Sequence, residues 1–155
     1  MKEHQNLFRD LQEDFRKMKK NLLVAQSGGP TAAINATLAG VIKQAIKEEQ
    51  IDQVYGACYG IQGVLEQKFV NRTEKVDTEE KLEKLKRTPA AALGSCRFKL
   101  NDIKEDDSQY QEIVDILHKM NIGYFVYIGG NDSMDTVAKL SAYCKEKGVE
   151  DIKVI

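Results

Sequence analysis

Short apolar runs that end at glycine alternate along this chain with longer stretches whose apolar residues recur every three to four positions. The clearest short run is Tyr124-Phe125-Val126-Tyr127-Ile128, which enters Gly129-Gly130-Asn131-Asp132-Ser133 and predicts a buried strand closed by a tight turn. Residues 21–26 predict a second buried strand that runs into Ser27-Gly28-Gly29-Pro30-Thr31. A third is predicted over 53–58, followed by a loop with two glycines, Tyr59-Gly60-Ile61-Gln62-Gly63-Val64. Residues 69–71 read as a short edge strand, and 152–155 as a further strand inside which the chain ends.

Helical spacing covers 31–49, where Ala32, Ala33 and Ala36 let a helix lie close on a sheet and Leu38, Val41, Ile42, Ala45 and Ile46 continue the apolar face. Residues 78–86 predict a helix with Thr78 as its N-cap and Glu79 and Glu80 in the first turn, stopped at Thr88-Pro89. Residues 109–120 place Ile113, Ile116, Leu117 and Met120 on one face, and 133–147 form a helix that Gly148 ends. Ahead of the first strand, Leu7, Leu11, Phe15 and Met18 stand at helical spacing within 4–20, an amphipathic helix able to pack on the domain or on a partner subunit. Strands alternating with helices predict an α/β domain of the Rossmann-like, three-layer kind, with a mostly parallel sheet and right-handed crossovers. Ligands of such sheets sit at the carboxyl ends of the strands.

Composition adds mainly exclusions. A formal net charge of -1 with both signs interleaved gives no reason to expect a nucleic-acid partner. No apolar run reaches the ~20 residues that span a bilayer, and the charged opening Met1-Lys2-Glu3-His4-Gln5 is no secretory signal. Three scattered cysteines, Cys58, Cys96 and Cys144, show no metal-ligand spacing and suit a reducing cytoplasm as small apolar fillers.

The candidate chemistry lies at the glycine turns. A strand, a glycine turn and a helix N-terminus bring backbone N–H groups together on an anion. The Gly28-Gly29 turn is neither a dinucleotide fingerprint nor a P-loop. Gly28-Gly29 alone reads equally well as a simple βα turn. Arg97, in Gly94-Ser95-Cys96-Arg97-Phe98, is a planar fork suited to phosphate oxygens, or else the partner of a neighbouring surface acid. Asp135 reads as an exposed first-turn acid, Asp106 and Asp107 as solvated, His118 as a surface or packed residue, and His4 as part of the terminus.

Three motifs stand in order: Gln26-Ser27-Gly28-Gly29 through Asn35-Ala36, then Gly94-Ser95-Cys96-Arg97-Phe98, then Gly129-Gly130-Asn131-Asp132-Ser133. Together with Tyr59-Gly60 between them, they resemble the N-terminal half of the phosphofructokinase family over residues 21–155, with 1–20 outside the match. The resemblance implies transfer of a phosphoryl group from pyrophosphate or ATP to the 1-hydroxyl of fructose 6-phosphate in glycolysis. It also implies Mg²⁺, a cytoplasmic location, no membrane partner, and a homo-oligomer at full length. Carried over, Gly28 and Gly29 receive the transferred phosphate, Arg97 clamps it, and Gly130, Asn131, Asp132 and Ser133 hold the rest of the donor, with Tyr59 lining the pocket. The family's Thr-Ile-Asp-x-Asp base motif is not found in these 155 residues. The chain is therefore expected to be a donor domain incomplete at its C-terminal end, inactive by itself and poorly folded.

Two positions depart from the family's usual Gly-Gly-Asp-Gly turn. Asn131 replaces the metal-ligating Asp with a neutral amide. Asp132 replaces a Gly that lets a nucleotide's α-phosphate lie on the backbone; its bulk and charge there favour pyrophosphate, and it also suits a helix N-cap. Two alternatives stay open. NAD kinases and lipid kinases share the Gly-Gly-Asp-Gly turn, but not the other two motifs. A non-catalytic phosphate-binding or regulatory subunit would keep the donor elements without a base.

Overall fold

The structure, a computed structural model, describes residues 6, 9–11, 13–14, 18–29 and 31–155. Strand β1 (Lys20–Gln26) is its axis, with Leu22 through Gln26 all buried. Both faces of β1 are covered, which is why its sequence is a continuous apolar run rather than an alternating one. It lies at the centre of a five-stranded sheet of order β3-β2-β1-β4-β5. The neighbours β2 (Ile51–Ala57) and β4 (Ile122–Ile128) run parallel to it, with Val24 opposite Gly56 on one side and Val126 on the other. Strand β5 (Lys153–Val154) is parallel to β4, and the edge strand β3 (Phe69–Asn71) is antiparallel to β2.

Six helices are described on the two faces of the sheet or in its connections: α1 (Ile34–Ala45), α2 (Gly60–Leu65), α3 (Arg72–Lys75), α4 (Glu79–Arg87), α5 (Ser108–Lys119) and α6 (Asn131–Glu146). Alternate residues of β1 feed two separate cores. Leu22 and Val24 pack with Leu38 and Ile42 of α1 and Leu82 and Leu85 of α4. Leu23 and Ala25 pack on the other face with Ile61 of α2, Ile113 and Leu117 of α5, and Leu140 and Tyr143 of α6. Each wholly buried leucine contributes roughly 2 kcal/mol. The three-layer, mostly parallel α/β arrangement predicted from the sequence is the one found.

Several boundaries differ from expectation. The segment after β2, predicted as a loop, is helix α2. Gly60 opens it in a left-handed turn at φ +62°, whereas Gly63 answers to space, since a Cβ there would sit 1.5 Å from the Cys58 carbonyl oxygen. Helix α1 is shorter at both ends than 31–49. Helix α6 starts at Asn131 with Gly130 as N-cap, so Asp132 lies inside the first turn and is not the cap. The four-residue α3, capped by the Asn71 side chain on the Glu74 N–H, was not foreseen. Strand β5 is brief, yet the ladder continues through Ile155, which donates to Phe125 O and accepts from Tyr127 N, both at 2.8 Å. Of the N-terminal amphipathic face, Leu7 and Phe15 lie outside the described residues, while Leu11 and Met18 are exposed in helical segments.

Two buried amides tie the carboxyl edge of β1 to its surroundings. Gln26, the last residue of β1, and Asn35, in the first turn of α1, are both sealed from solvent. The Gln26 Nε2 donates to Asn35 Oδ1 (3.1 Å) and Ile34 O (3.2 Å), and its Oε1 accepts from Leu93 N (2.9 Å). The Asn35 Nδ2 donates to Thr88 O (2.7 Å) and Ala90 O (2.6 Å), and its Oδ1 also accepts from Ala92 N (2.9 Å). Segment 88–93 has no regular ladder of its own, so these side chains stand in for one. Replacing Asn35 by Ala strands two carbonyls, one backbone N–H and the Gln26 amide in the interior. The expected loss on urea unfolding of the intact protein is about 3 kcal/mol, and a loss below ~1 kcal/mol would show that water or rearrangement satisfies the segment.

Candidate functional site

The carboxyl ends of β1 and β4 lie side by side, and the turns that follow them meet at one place. Ser27 extends the ladder past β1 by donating its N–H to Ile128 O at 2.8 Å. Gly28 then adopts φ +82°, which glycine tolerates best, and a Cβ there would lie 3.4 Å from the Gly130 nitrogen. The third wall is the segment that Gln26 and Asn35 hold. The Ser27 hydroxyl donates to Cys96 O (3.0 Å), and the Ser95 hydroxyl donates to Gly28 O (2.7 Å). Two serines thus stitch the Gly28 turn and the Arg97 loop in opposite directions.

Between these walls is a cavity of about 200 Å³ lined by residues that include Gly28, Gly29, Arg97, Phe98, Tyr127 and Asp132. A Cβ on Gly29 or on Gly130 would meet nothing within 4 Å. Neither glycine is required by packing against protein; both leave backbone open to a ligand. Helix α6 begins here with no side chain capping it. Its first N–H groups therefore have no intrahelical acceptor, and the positive end of its dipole faces the cavity mouth. Arg97 is exposed at the lining, and no ion pair engages it among the described residues. Backbone donors, a helix terminus and an unengaged guanidinium are the chemical features that suit a small polyanion.

The remaining sequence-predicted residues divide. Asn131 and Asp132 are both exposed, Asp132 at the cavity lining, and the Asp132 carboxylate lies 3.3 Å from Lys99 Nζ. Ser133 is buried, its hydroxyl without a partner and packed against Gly129, where an added Cβ would come within 2.0 Å of it. It fits the turn tightly and does not open onto the cavity. Tyr59 departs from the cavity altogether. It holds a left-handed backbone at φ 65°, is 55% exposed, and its ring covers Gly94, the start of the Arg97 loop. Asp135 pairs with Lys139 at 2.7 Å, Asp107 with Lys147 at 3.2 Å, and His118 with Asp151 at 3.0 Å. Asp106 accepts from the Ser108 N–H at 3.0 Å. His4 lies outside the described residues.

Sequence reasoning missed the floor of the site. Tyr127, the penultimate residue of β4, is buried and stacks on Phe125, with ring centroids 5.8 Å apart. Its hydroxyl accepts the Ile61 N–H at 3.1 Å and lies 3.9 Å from Cys96 Sγ. Burial pushes the phenol up to about 12, against hydrogen bonds from Ser27 and Ile61 that work the other way. The signal was a polar tip near the end of an apolar strand, read as only another buried ring. The Lys99 contact left no trace in sequence spacing either, because its partner is 33 positions away. Among the described residues no three His, Cys, Asp or Glu side chains gather to hold a metal. Asn131, exposed and next in sequence to the lining residue Asp132, nevertheless carries a hard oxygen of the kind that suits a cation whose other ligands are phosphate oxygens and water.

Comparison with known proteins agrees with the three motifs. The phosphofructokinase family model matches residues 21–155, and the chain belongs to that family. Pyrophosphate–fructose 6-phosphate 1-phosphotransferase of Rhodospirillum rubrum is 43% identical over 123 residues, which is 79% of this chain and 29% of that protein. An ATP-dependent 6-phosphofructokinase of Bacteroides thetaiotaomicron is 32% identical over 122 residues, covering 77% of this chain and 34% of the relative. Among solved structures, a pyrophosphate-dependent phosphofructokinase from Nitrosospira multiformis superposes with a TM-score of 0.77 at 36% identity, over 87% of this chain and 32% of that one. The chain spans about a third of the length of the relatives it matches.

The raised Tyr127 phenol predicts how the site fails in alkali. The neutral form is favoured in the folded state, so its stabilisation is whole below the ordinary phenol value of 10.0 and is lost as pH rises toward about 12. Unfolding free energy should fall across that window, and Tyr127→Phe should flatten the fall and remove a late component of the tyrosinate absorbance. An unchanged alkaline titration in Tyr127→Phe would contradict the placement of this hydroxyl.

Proposed function

We propose that the complete protein transfers a phosphoryl group from pyrophosphate to the 1-hydroxyl of fructose 6-phosphate, and that this chain supplies its donor-phosphate pocket. The observation that carries the reading is the meeting of the Gly28-Gly29 turn, the unengaged Arg97 and the uncapped start of α6 around one small cavity with Asp132 at its mouth. A cavity of about 200 Å³ suits two linked phosphates better than a nucleotide. The family relatives named above include both donor types, with higher identity to the pyrophosphate user.

In this reading the transferred phosphoryl group rests on the Gly29 N–H, and Arg97 reaches its non-bridging oxygens. The leaving phosphate lies over the first N–H groups of α6. The sugar oxygen forms the new P–O bond as the bridging P–O bond breaks, and orthophosphate departs. Such a transfer asks the protein for positioning and charge neutralisation more than for covalent chemistry. A divalent cation, Mg²⁺ in our reading, would supply further neutralisation of the donor's charge, and Asn131 would hold it. No residue of this chain is assigned to the proton of the sugar hydroxyl. The setting is cytoplasmic glycolysis, where a pyrophosphate donor makes the step reversible; no described helix is long and apolar enough to cross a membrane.

Asp132 sets the donor in this account. A carboxylate at the second position of α6 crowds and repels a third phosphate that a glycine would admit. With the intact protein, fructose 6-phosphate and Mg²⁺, turnover is expected with pyrophosphate and little with ATP. Asp132→Gly should gain ATP use. Arg97→Ala should cut kcat about a hundredfold or more while changing KM less. ATP preference in the parent would overturn the role of Asp132, and no turnover with either donor would favour a non-catalytic phosphate-binding subunit.

A further inference from the structure

We propose that Lys99 is a positioning residue for the donor, acting through Asp132. The inference rests on the donor reading of the cavity. Lys99 follows the Arg97 loop and reaches across the mouth to Asp132 in the first turn of α6, Nζ to carboxylate 3.3 Å. Both side chains are about three-quarters exposed, at 72% and 74%. An exposed pair of this kind contributes at most ~1 kcal/mol to folding. Its consequence therefore lies in the field at the cavity.

Two effects follow from the placement. The donor is a polyanion, and Asp132 puts a negative charge where it must enter. With Lys99 and Arg97 both present, the mouth keeps a net positive charge; without Lys99, Asp132 cancels Arg97. The second effect is positional. A carboxylate in the first turn of a helix is attracted to that helix's own unsatisfied N–H groups and to the positive end of its dipole. Those N–H groups are the ones assigned to the leaving phosphate, and no side chain caps them. Unpaired, Asp132 competes with the donor for them. Paired with Lys99, its carboxylate is drawn across to the opposite wall and the terminus stays open. Lys99 thus lets the chain keep Asp132 as a barrier to nucleotide without losing affinity for pyrophosphate.

The test measures pyrophosphate affinity by titration calorimetry with Mg²⁺ on the intact protein, in the parent, Lys99→Met, Lys99→Arg, Asp132→Gly and the Lys99→Met/Asp132→Gly double variant. Lys99→Met should weaken binding about fivefold or more, with a smaller loss at high salt. Lys99→Arg should stay within about twofold of the parent, because the ion pair survives. In the Asp132→Gly background, Lys99→Met should cost clearly less than in the parent, since only the long-range charge of Lys99 is then lost and not its hold on Asp132. Equal affinity in Lys99→Met, or a loss of the same size in both backgrounds, would overturn the inference. A parent that transfers phosphate from pyrophosphate with an affinity indifferent to Lys99 overturns this inference alone. A parent that binds pyrophosphate in a Lys99-dependent way without transferring it overturns the transferase reading alone.

Discussion

Gln26 and Asn35 are sealed from water, and buried amides must find partners for every donor and acceptor they carry. The partners they find lie on three pieces of chain: the end of β1, the start of α1, and the 88–93 segment. That segment has no strand or helix to place it, and it leads directly into Arg97. The position of the guanidinium therefore depends on two side chains that never touch the cavity. The two serine bridges then fix the Arg97 loop to the Gly28 turn. Two apolar cores hold the sheet together, while a handful of polar contacts decide where its loops go.

The same economy of contacts appears at the glycines. Gly28 and Gly63 answer to backbone geometry and to space inside the protein, whereas Gly29 and Gly130 face an opening that packing does not fill. Ser133 completes the division, since its buried hydroxyl fills the room beside Gly129 and leaves the neighbouring Gly130 free. What results is a small polar recess with a helix terminus on one wall, a guanidinium on another, and the Lys99–Asp132 pair across its mouth. The proposed preference for a compact anion over a longer one rests on this charge of both signs at the opening.

Much of the fold was legible because a parallel sheet buried on both faces writes itself as apolar runs. Strands β1, β2 and β4 and helices α4, α5 and α6 were all readable in this way, to within a few residues. Helix α2 was not. Gly60 and Gly63 carry the local signature of a loop, and the reason for them, contact with Cys58, Cys96 and Tyr127, is tertiary. Of the site, the glycine turns and Arg97 were readable from motif order. Tyr59 was misplaced: in the fold its ring covers Gly94 outside the cavity. Tyr127 and Lys99 stayed hidden, since a buried phenol looks like any aromatic in a strand, and an ion pair between distant segments leaves no period to detect.

In the proposed function, one recess at the carboxyl edge of the sheet seats the donor phosphates. The most direct measurement is a crystal structure of the intact protein with methylenediphosphonate, a non-cleavable pyrophosphate analogue. One phosphonate is expected within hydrogen-bonding distance of the Gly29 N–H and the Arg97 guanidinium, and the other over the first turn of α6 beside Asn131. An analogue bound elsewhere, with Arg97 turned to solvent and the recess filled by water, would contradict it.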